Sequence, residues 1–131
     1  MEGFIKLNID ACSLGNSGRS GTWGIFCDHR GNHILSFLSG LGVTTNFVAE
    51  FEAFFMGIRI TKEQSWLKLW VECDSHAMAI CIKKCTIPWF FQQQWRSLKA
   101  YLDTITWSIA HCYREANNIA NNLAKHTALA Q

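Results

Sequence analysis

The fold is decided by one stretch near the start of the chain, which reads Phe4-Ile5-Lys6-Leu7-Asn8-Ile9-Asp10-Ala11-Cys12. Apolar side chains occupy positions 5, 7 and 9, and polar side chains occupy positions 6, 8 and 10. Because successive side chains of a strand point to opposite faces of a sheet, this period of two predicts a half-exposed strand. The carboxylate of Asp10 falls on the polar side of that strand.

Two more strands are expected directly after the first. Residues 14–21 are rich in Gly, Ser and Asn and predict a loop, whereas residues 22–28 and 33–39 predict the second and third strands. The turn between them is Arg30-Gly31-Asn32. Three consecutive strands joined by short connections are typical of an antiparallel meander.

From residue 44 onward the apolar pattern switches between helical and strand periods. Helices are expected at about 46–62, after the Ser75 cap to 83, from Pro88 to about 102, and at 117–130. Strands are expected at 66–73, with Leu67 and Leu69 on one apolar side, and at 104–113. A meander followed by alternating strands and helices predicts an α/β fold in which helices flank a mixed sheet.

Composition limits the class of protein. A length of 131 residues suits a single domain spanning 1–131, and 49% hydrophobic with 17% charged residues excludes a disordered chain. No apolar run approaches the length of a membrane span, and the first residues lack the apolar region of a secretory signal. We therefore expect an intracellular protein, nuclear or cytoplasmic, or an excised domain. The net charge of +2 leaves nucleic-acid and protein partners open.

The six cysteines do not suggest a disulfide framework or a zinc site. They are scattered without a C-x-x-C pair, at Cys12, Cys27, Cys73, Cys81, Cys85 and Cys112. Most lie within apolar runs, where cysteine behaves as a small hydrophobic residue. We expect reduced and mostly buried thiols.

Three carboxylates fall at positions that the topology can bring together. Asp10 lies on the first strand, Glu50 in the first turns of the first helix, and Asp74 at the end of the fourth strand. If the first and fourth strands are neighbours, these acids converge and repel one another unless cations are bound. Carboxylate oxygens suit Mg²⁺ or Mn²⁺, and two such ions support phosphodiester cleavage. The alternative is that each acid is an isolated surface charge or helix cap.

Four short motifs, in order along nearly the whole chain, resemble those of type 1 ribonuclease H. They are Asn8-Ile9-Asp10-Ala11-Cys12 with Leu14-Gly15-Asn16, Thr45-Asn46-Phe47-Val48-Ala49-Glu50, Trp70-Val71-Glu72-Cys73-Asp74-Ser75, and Tyr113-Arg114-Glu115-Ala116-Asn117 with Ala120-Asn121-Asn122-Leu123-Ala124. The form of the last motif is most similar to the ribonuclease H-like domains of plant non-LTR retroelement polyproteins. The resemblance implies a ribonuclease H-like fold, with a five-stranded mixed sheet.

The resemblance also implies a function and a site. Asp10, Glu50 and Asp74 match metal-binding carboxylates, and Asn16, Thr45 and Asn46 match positions that touch the nucleic-acid backbone. The family cuts the RNA strand of RNA–DNA hybrids with two Mg²⁺ ions. Its members recognise the hybrid by groove shape, 2′-hydroxyls and phosphates.

The chain departs from the family pattern at its fourth carboxylate. The matching position is Asn121, whose amide can ligate a metal but brings no negative charge. Losing this charge should weaken metal affinity and transition-state stabilisation together. The loop before it also lacks the family's His, and we place His111 on the fifth strand instead. Two hypotheses therefore stay open: a weakened nuclease, or an inactive domain that binds nucleic acid or a protein partner.

Basic residues surround a group of aromatic residues between 83 and 99. Lys84, Arg96 and Lys99 are candidate contacts to a nucleic-acid backbone. The helical spacing favours packing of most of the aromatic side chains, Trp89, Phe90, Phe91 and Trp95, against the sheet.

Overall fold

The computed structural model describes residues 3–15 and 17–112. In chain order the elements are β1 (Ile5–Ser13), β2 (Gly18–Cys27), β3 (His33–Thr44), α1 (Asn46–Glu63), β4 (Lys68–Cys73), α2 (His76–Lys83), a 3₁₀ turn (Trp89–Phe91), α3 (Gln92–Leu102) and β5 (Thr106–His111). The helix expected at 117–130 lies outside the described residues. Among the helices that the structure describes, none is both long and apolar enough to cross a membrane.

The strands form a five-stranded mixed sheet in the order β3-β2-β1-β4-β5. The β1–β2 and β2–β3 pairs are antiparallel, whereas the β1–β4 and β4–β5 pairs are parallel. This arrangement confirms the predicted meander and the predicted mixed sheet. It also makes β1, the strand that carries Asp10, the central strand of the sheet.

The meander is longer than the sequence pattern suggests. β2 begins at Gly18 rather than at residue 22, and β3 continues to Thr44 rather than ending at residue 39, because Gly18 pairs with Thr44. The glycine- and serine-rich segments looked like loops because their side chains carry little strand preference. Backbone pairing between the two segments makes them strands instead.

The start of β4 also differs from the prediction. The strand begins at Lys68 rather than residue 66, and Leu67 is 66% exposed instead of lying in the core. Ser65 adopts a left-handed conformation, with φ of 59°, directly after α1. The chain is therefore still turning at Leu67 and joins the sheet one residue later.

One face of the sheet packs against α1. The helix buries Phe51, Phe54 and Phe55 against the apolar side of the central strands. The closest approach is at Gly57, where a Cβ atom would lie 2.5 Å from the Cδ2 atom of Leu7 on β1. Glycine at this position lets the helix backbone lie close to the central strand.

The aromatic residues at 89–95 divide between core and surface. Phe91 stacks on Phe51 with ring centroids 5.1 Å apart, and Trp95 is buried, as expected. Trp89 is 84% exposed and Phe90 is 50% exposed, so the expectation of packing was wrong for these two. Residues 89–91 form a 3₁₀ turn, which has three residues per turn, so only one of three successive side chains faces the core.

The cysteines are all free, but they are less buried than expected. Cys12 and Cys73 are buried, Cys85 is exposed, and the other three are half-buried. Cys85 lies just beyond α2 in a left-handed conformation, with φ of 56°, where the chain turns away from the core.

The neighbouring residues Phe90 and Phe91 provide a matched test of how the aromatic residues at 89–95 divide between core and surface. Phe91→Ala should lower the free energy of unfolding by about 3–5 kcal/mol, since it leaves a cavity between α1 and α3. Phe90→Ala should cost less than about 1 kcal/mol, since half of that ring is already in solvent. Urea unfolding of both variants measures the difference, and equal costs would contradict the packing described here.

Candidate active site

The parallel pairing of β1 with β4 brings two carboxylates together. Ile9 lies opposite Cys73 at the end of the paired register. Continuing that register by one residue places Asp10 beside Asp74, and the charges of Asp74 and of Glu50 on α1 both act on Asp10. The two acids are therefore adjacent at the carboxyl end of β4.

The start of α1 is fixed beside the end of β1. The Thr45 hydroxyl caps the helix by accepting a hydrogen bond from the Val48 N–H at 3.3 Å. The Asn46 Oδ1 atom accepts a hydrogen bond of 2.6 Å from the Ser13 N–H, which joins the helix to the last residue of β1. Glu50 follows Asn46 by one helical turn and therefore lies on the same side of α1.

Ser75 connects Glu50 to the end of β4. Its side chain caps α2 by accepting a hydrogen bond from the Met78 N–H at 3.2 Å, and it also hydrogen-bonds the Glu50 carboxylate. The sequence indicated the cap but not the contact with Glu50. This contact depends on the placement of α1 against β4, which local sequence does not specify.

Burial and mutual repulsion make the site costly to ionise. Asp10 is only 4% exposed, and burial, followed by the charge of Asp74, raises its pKa from 3.8 to about 7. Burial also raises the pKa of Glu50, with a smaller contribution from the charge of Asp74, while the bond from Ser75 opposes the rise. The polar side of β1 was expected to be half-exposed, which holds for Lys6 and Asn8, but Asp10 is buried.

The oxygen atoms of Asp10 have different surroundings. Oδ1 accepts a hydrogen bond from the Ala11 N–H at 2.7 Å, whereas Oδ2 is buried and has no donor among the described residues. The Asp74 carboxyl lies close enough to hydrogen-bond Asp10 when one of the two holds a proton. A divalent cation would replace that proton, and carboxylate oxygens are the ligands that Mg²⁺ and Mn²⁺ prefer.

The carboxylate oxygens of Asp10, Glu50 and Asp74 are therefore of the kind that a hard cation prefers, but they are not arranged as a preformed coordination shell. Within residues 3–15 and 17–112, no three His, Cys, Asp or Glu side chains are already spaced to hold a metal ion. The fourth expected ligand, Asn121, lies outside the described residues, as does Asn16.

A further acid near these carboxylates, Glu72, already has a cationic partner. Glu72 lies two residues before Asp74 and forms an ion pair with Lys6 at 3.2 Å. The Trp70 indole N–H also donates a hydrogen bond to Glu72 at 3.0 Å. Glu72 is thus engaged by a cation and a donor, which distinguishes it from Asp10.

The basic candidates differ in their surroundings. Lys84 caps the carboxyl end of α2 and is exposed, and Arg96 is exposed on α3. Lys99 forms an ion pair with Asp103, and its ammonium lies 6.0 Å from the centre of the Trp95 ring. His111 lies on β5 as expected, although the strand spans Thr106–His111 rather than 104–113, and its ring lies 5.4 Å from that of His76.

Comparison with known proteins identifies the family. A family model described as reverse transcriptase-like matches residues 8–127. The chain belongs to this family. An Arabidopsis thaliana protein named as a candidate ribonuclease H protein is 25% identical over 138 residues, which cover 95% of this chain. The chain spans about one fifth (20%) of the length of that relative.

Solved structures show that the fold is that of ribonuclease H. Ribonuclease H1 from Halobacterium salinarum superposes with a TM-score of 0.85 at 18% identity, covering 98% of this chain and 99% of the other. The N-terminal ribonuclease H domain of a Mycobacterium tuberculosis protein gives 0.86 at 18% identity, covering 97% and 94%. LC11 ribonuclease H1, solved with an RNA/DNA hybrid, gives 0.85 at 19% identity, covering 96% and 97%.

The raised pKa of Asp10 predicts how stability depends on pH in metal-free buffer. Between about pH 4 and pH 7 the folded state holds a proton at Asp10 that the unfolded state has released, so stability falls as the pH rises through this window. Asp10→Asn should raise the free energy of unfolding at pH 8 by about 1–4 kcal/mol and have little effect near pH 4.

Asp28→Asn is the matched control. The pKa of Asp28 is lowered chiefly because its carboxylate accepts a hydrogen bond from the Asn32 N–H, so this substitution should not stabilise the protein at pH 8. Urea unfolding at pH 4, 6 and 8 measures both variants. An Asp10→Asn variant less stable than the parent at pH 8 would contradict the burial cost assigned to Asp10.

Proposed function

We propose that this domain is a metal-dependent endonuclease of ribonuclease H type that hydrolyses the RNA strand of RNA–DNA hybrids. The observation that carries the proposal is the meeting of Asp10, Glu50 and Asp74, with a buried Asp10 oxygen that has no donor among the described residues. Membership of the reverse transcriptase-like family supports it. So does the fold shared with a ribonuclease H1 that was solved with a hybrid.

Asp10, Glu50 and Asp74 would hold two Mg²⁺ or Mn²⁺ ions, with the Asn121 amide oxygen as a fourth ligand. Bound ions of this kind activate a water molecule and stabilise the leaving oxygen in phosphodiester cleavage. The protein's part is to orient the ligands. The Ala11 N–H fixes one oxygen of Asp10, and Ser75 holds the Glu50 carboxylate.

The amide at Asn121 should weaken this activity. Three carboxylates offset less of the charge of two divalent ions than four do, and an amide oxygen is a poorer ligand than a carboxylate. We therefore expect slower turnover than a site with four carboxylates would give.

Nucleic-acid contacts are proposed at the positions that match the family. Thr45 and Asn46 are held at the junction of β1 and α1, beside the carboxylates, where the backbone of a cleaved strand would pass. Asn16, Lys84, Arg96 and Lys99 are proposed as further phosphate contacts. Such contacts position a hybrid without reading its base sequence.

An inactive domain is the second candidate function. Two points favour it: Asn121 stands where the family resemblance implies an acid, and the described carboxylates are not spaced as a preformed metal site. In this case the domain would bind nucleic acid or a protein partner without cutting.

The cysteines and the curated relative support a proposed cellular setting. Six free cysteines favour a reducing compartment, the nucleus or the cytoplasm. The form of the last motif and the Arabidopsis relative support a plant retroelement origin. We propose that 1–131 is one ribonuclease H-like domain.

A cleavage assay separates the two candidate functions. A labelled RNA–DNA hybrid is incubated with the parent chain and with Asn121→Asp, in Mg²⁺ and separately in Mn²⁺. Restoring the fourth carboxylate should increase the cleavage rate by about 10²-fold or more, since removing one stabilising group from a transition state typically costs that much.

The control adds Asp74→Asn to the Asn121→Asp variant, which should abolish the gain. If neither the parent nor Asn121→Asp cuts but both bind the hybrid, the inactive binding module is correct. If neither cuts nor binds, the nucleic-acid function is excluded. A parent chain as fast as Asn121→Asp would refute the weakening assigned to Asn121.

A further inference from the structure

A cavity of about 340 Å³ lies between α2, α3 and β5. Its floor and walls are apolar and aromatic, formed by Ile82, Trp95, Trp107 and Ile109. Ligand pockets of small molecules begin at about this volume and have this kind of lining. None of Asp10, Glu50 and Asp74 lines the cavity, so it is separate from the proposed nuclease site.

The charged residues that line the described part of the cavity are two lysines. They are Lys83, the last residue of α2, and Lys99 of α3, which also forms an ion pair with Asp103; the Cys85 thiol lies with them, and none of the described lining residues is Asp or Glu. Lys99 is half-buried and lies over the face of Trp95, with its ammonium 6.0 Å from the ring centre. Two ammonium groups beside an apolar floor favour a ligand that carries negative charge on an apolar body.

The remaining wall offers hydrogen bonds. Ser108 lines the cavity from β5, which is an outermost strand of the sheet in the described part of the chain. Within residues 3–15 and 17–112 the outer backbone groups of β5 have no strand partner, so they would be open to a ligand there. The site thus combines an apolar floor, two cations and polar backbone groups.

We infer that this cavity binds a small organic anion with a flat apolar body, of the aryl carboxylate or aryl sulfonate class. The flat body packs between Trp95 and Trp107, and the anionic group pairs with Lys83 and Lys99. Charge complementarity selects this class over a neutral ligand of the same shape. Lys99 would then pair with the small anion instead of making the phosphate contact proposed above, and competition with an RNA–DNA hybrid distinguishes the two roles.

The test uses anilinonaphthalene sulfonate, a fluorescent aryl sulfonate, and phenylnaphthylamine, the same aromatic body without the sulfonate. The full chain is titrated with each probe in metal-free buffer. We expect one sulfonate probe to bind per chain, at least about tenfold more tightly than the uncharged probe.

Substitutions at the mouth of the cavity locate the binding. The double change Lys83→Gln with Lys99→Gln should weaken the sulfonate probe by about tenfold or more and leave the uncharged probe unchanged. Asp103→Asn is the matched control, because it breaks the same Lys99–Asp103 ion pair but keeps the lysine. It should leave the sulfonate affinity equal or higher.

Two further controls cover other surfaces. Lys62→Gln removes an exposed lysine of α1, and Trp89→Ser removes the exposed indole before α3, and neither should change the affinity. Circular dichroism checks that each variant is folded.

Three results would overturn the inference. The first is equal affinity for the charged and uncharged probes. The second is a loss of binding with Asp103→Asn or Trp89→Ser rather than with the paired lysine changes. The third is displacement of the probe by an RNA–DNA hybrid, which would assign the two lysines to the nucleic-acid surface instead.

Discussion

The parallel pairing of β1 with β4 is the constraint on which the rest of the site depends. It places Asp10 beside Asp74 at the centre of the sheet, where one of them is almost fully buried. Two carboxylates in this position cannot both ionise cheaply, so the site favours a proton or a cation between them. The helix α1 contributes Glu50 to the same region because Asn46 joins its first turn to the end of β1. A cluster that opposes folding when empty suits the proposed cation site, since binding of a cation would offset the repulsion.

Much of the architecture could be predicted from the sequence because period and spacing encode it. Alternation marked β1, and the spacing of apolar residues marked the helices. The three acids were found at positions that the sheet brings together. The burial of Asp10 could not be predicted from its own strand, because the alternating pattern is the same at Lys6 and Asn8, which are only half-buried. Nor could the bond from Ser75 to Glu50 be predicted, since it joins two elements that are distant in sequence.

The sequence-based predictions that were wrong share a physical cause. Leu67 fits the apolar alternation of β4, but the left-handed turn at Ser65 keeps it outside the sheet. Trp89 and Phe90 fit a helical pattern, but a 3₁₀ turn exposes them while it buries Phe91. In both cases the local backbone departs from the regular element that the pattern assumes. Side-chain patterns predict which face is apolar only where the backbone is regular.

The central claim is that Asp10, Glu50 and Asp74 form a cation site in which a divalent ion displaces a proton. Calorimetric titration with Mn²⁺ at pH 7, in two buffers with different heats of ionisation, measures binding and proton release together. We expect saturable binding with release of a fraction of a proton, and we expect Asp10→Asn to remove the release and weaken the binding. Absence of binding, or an isotherm that Asp10→Asn leaves unchanged, would contradict the claim.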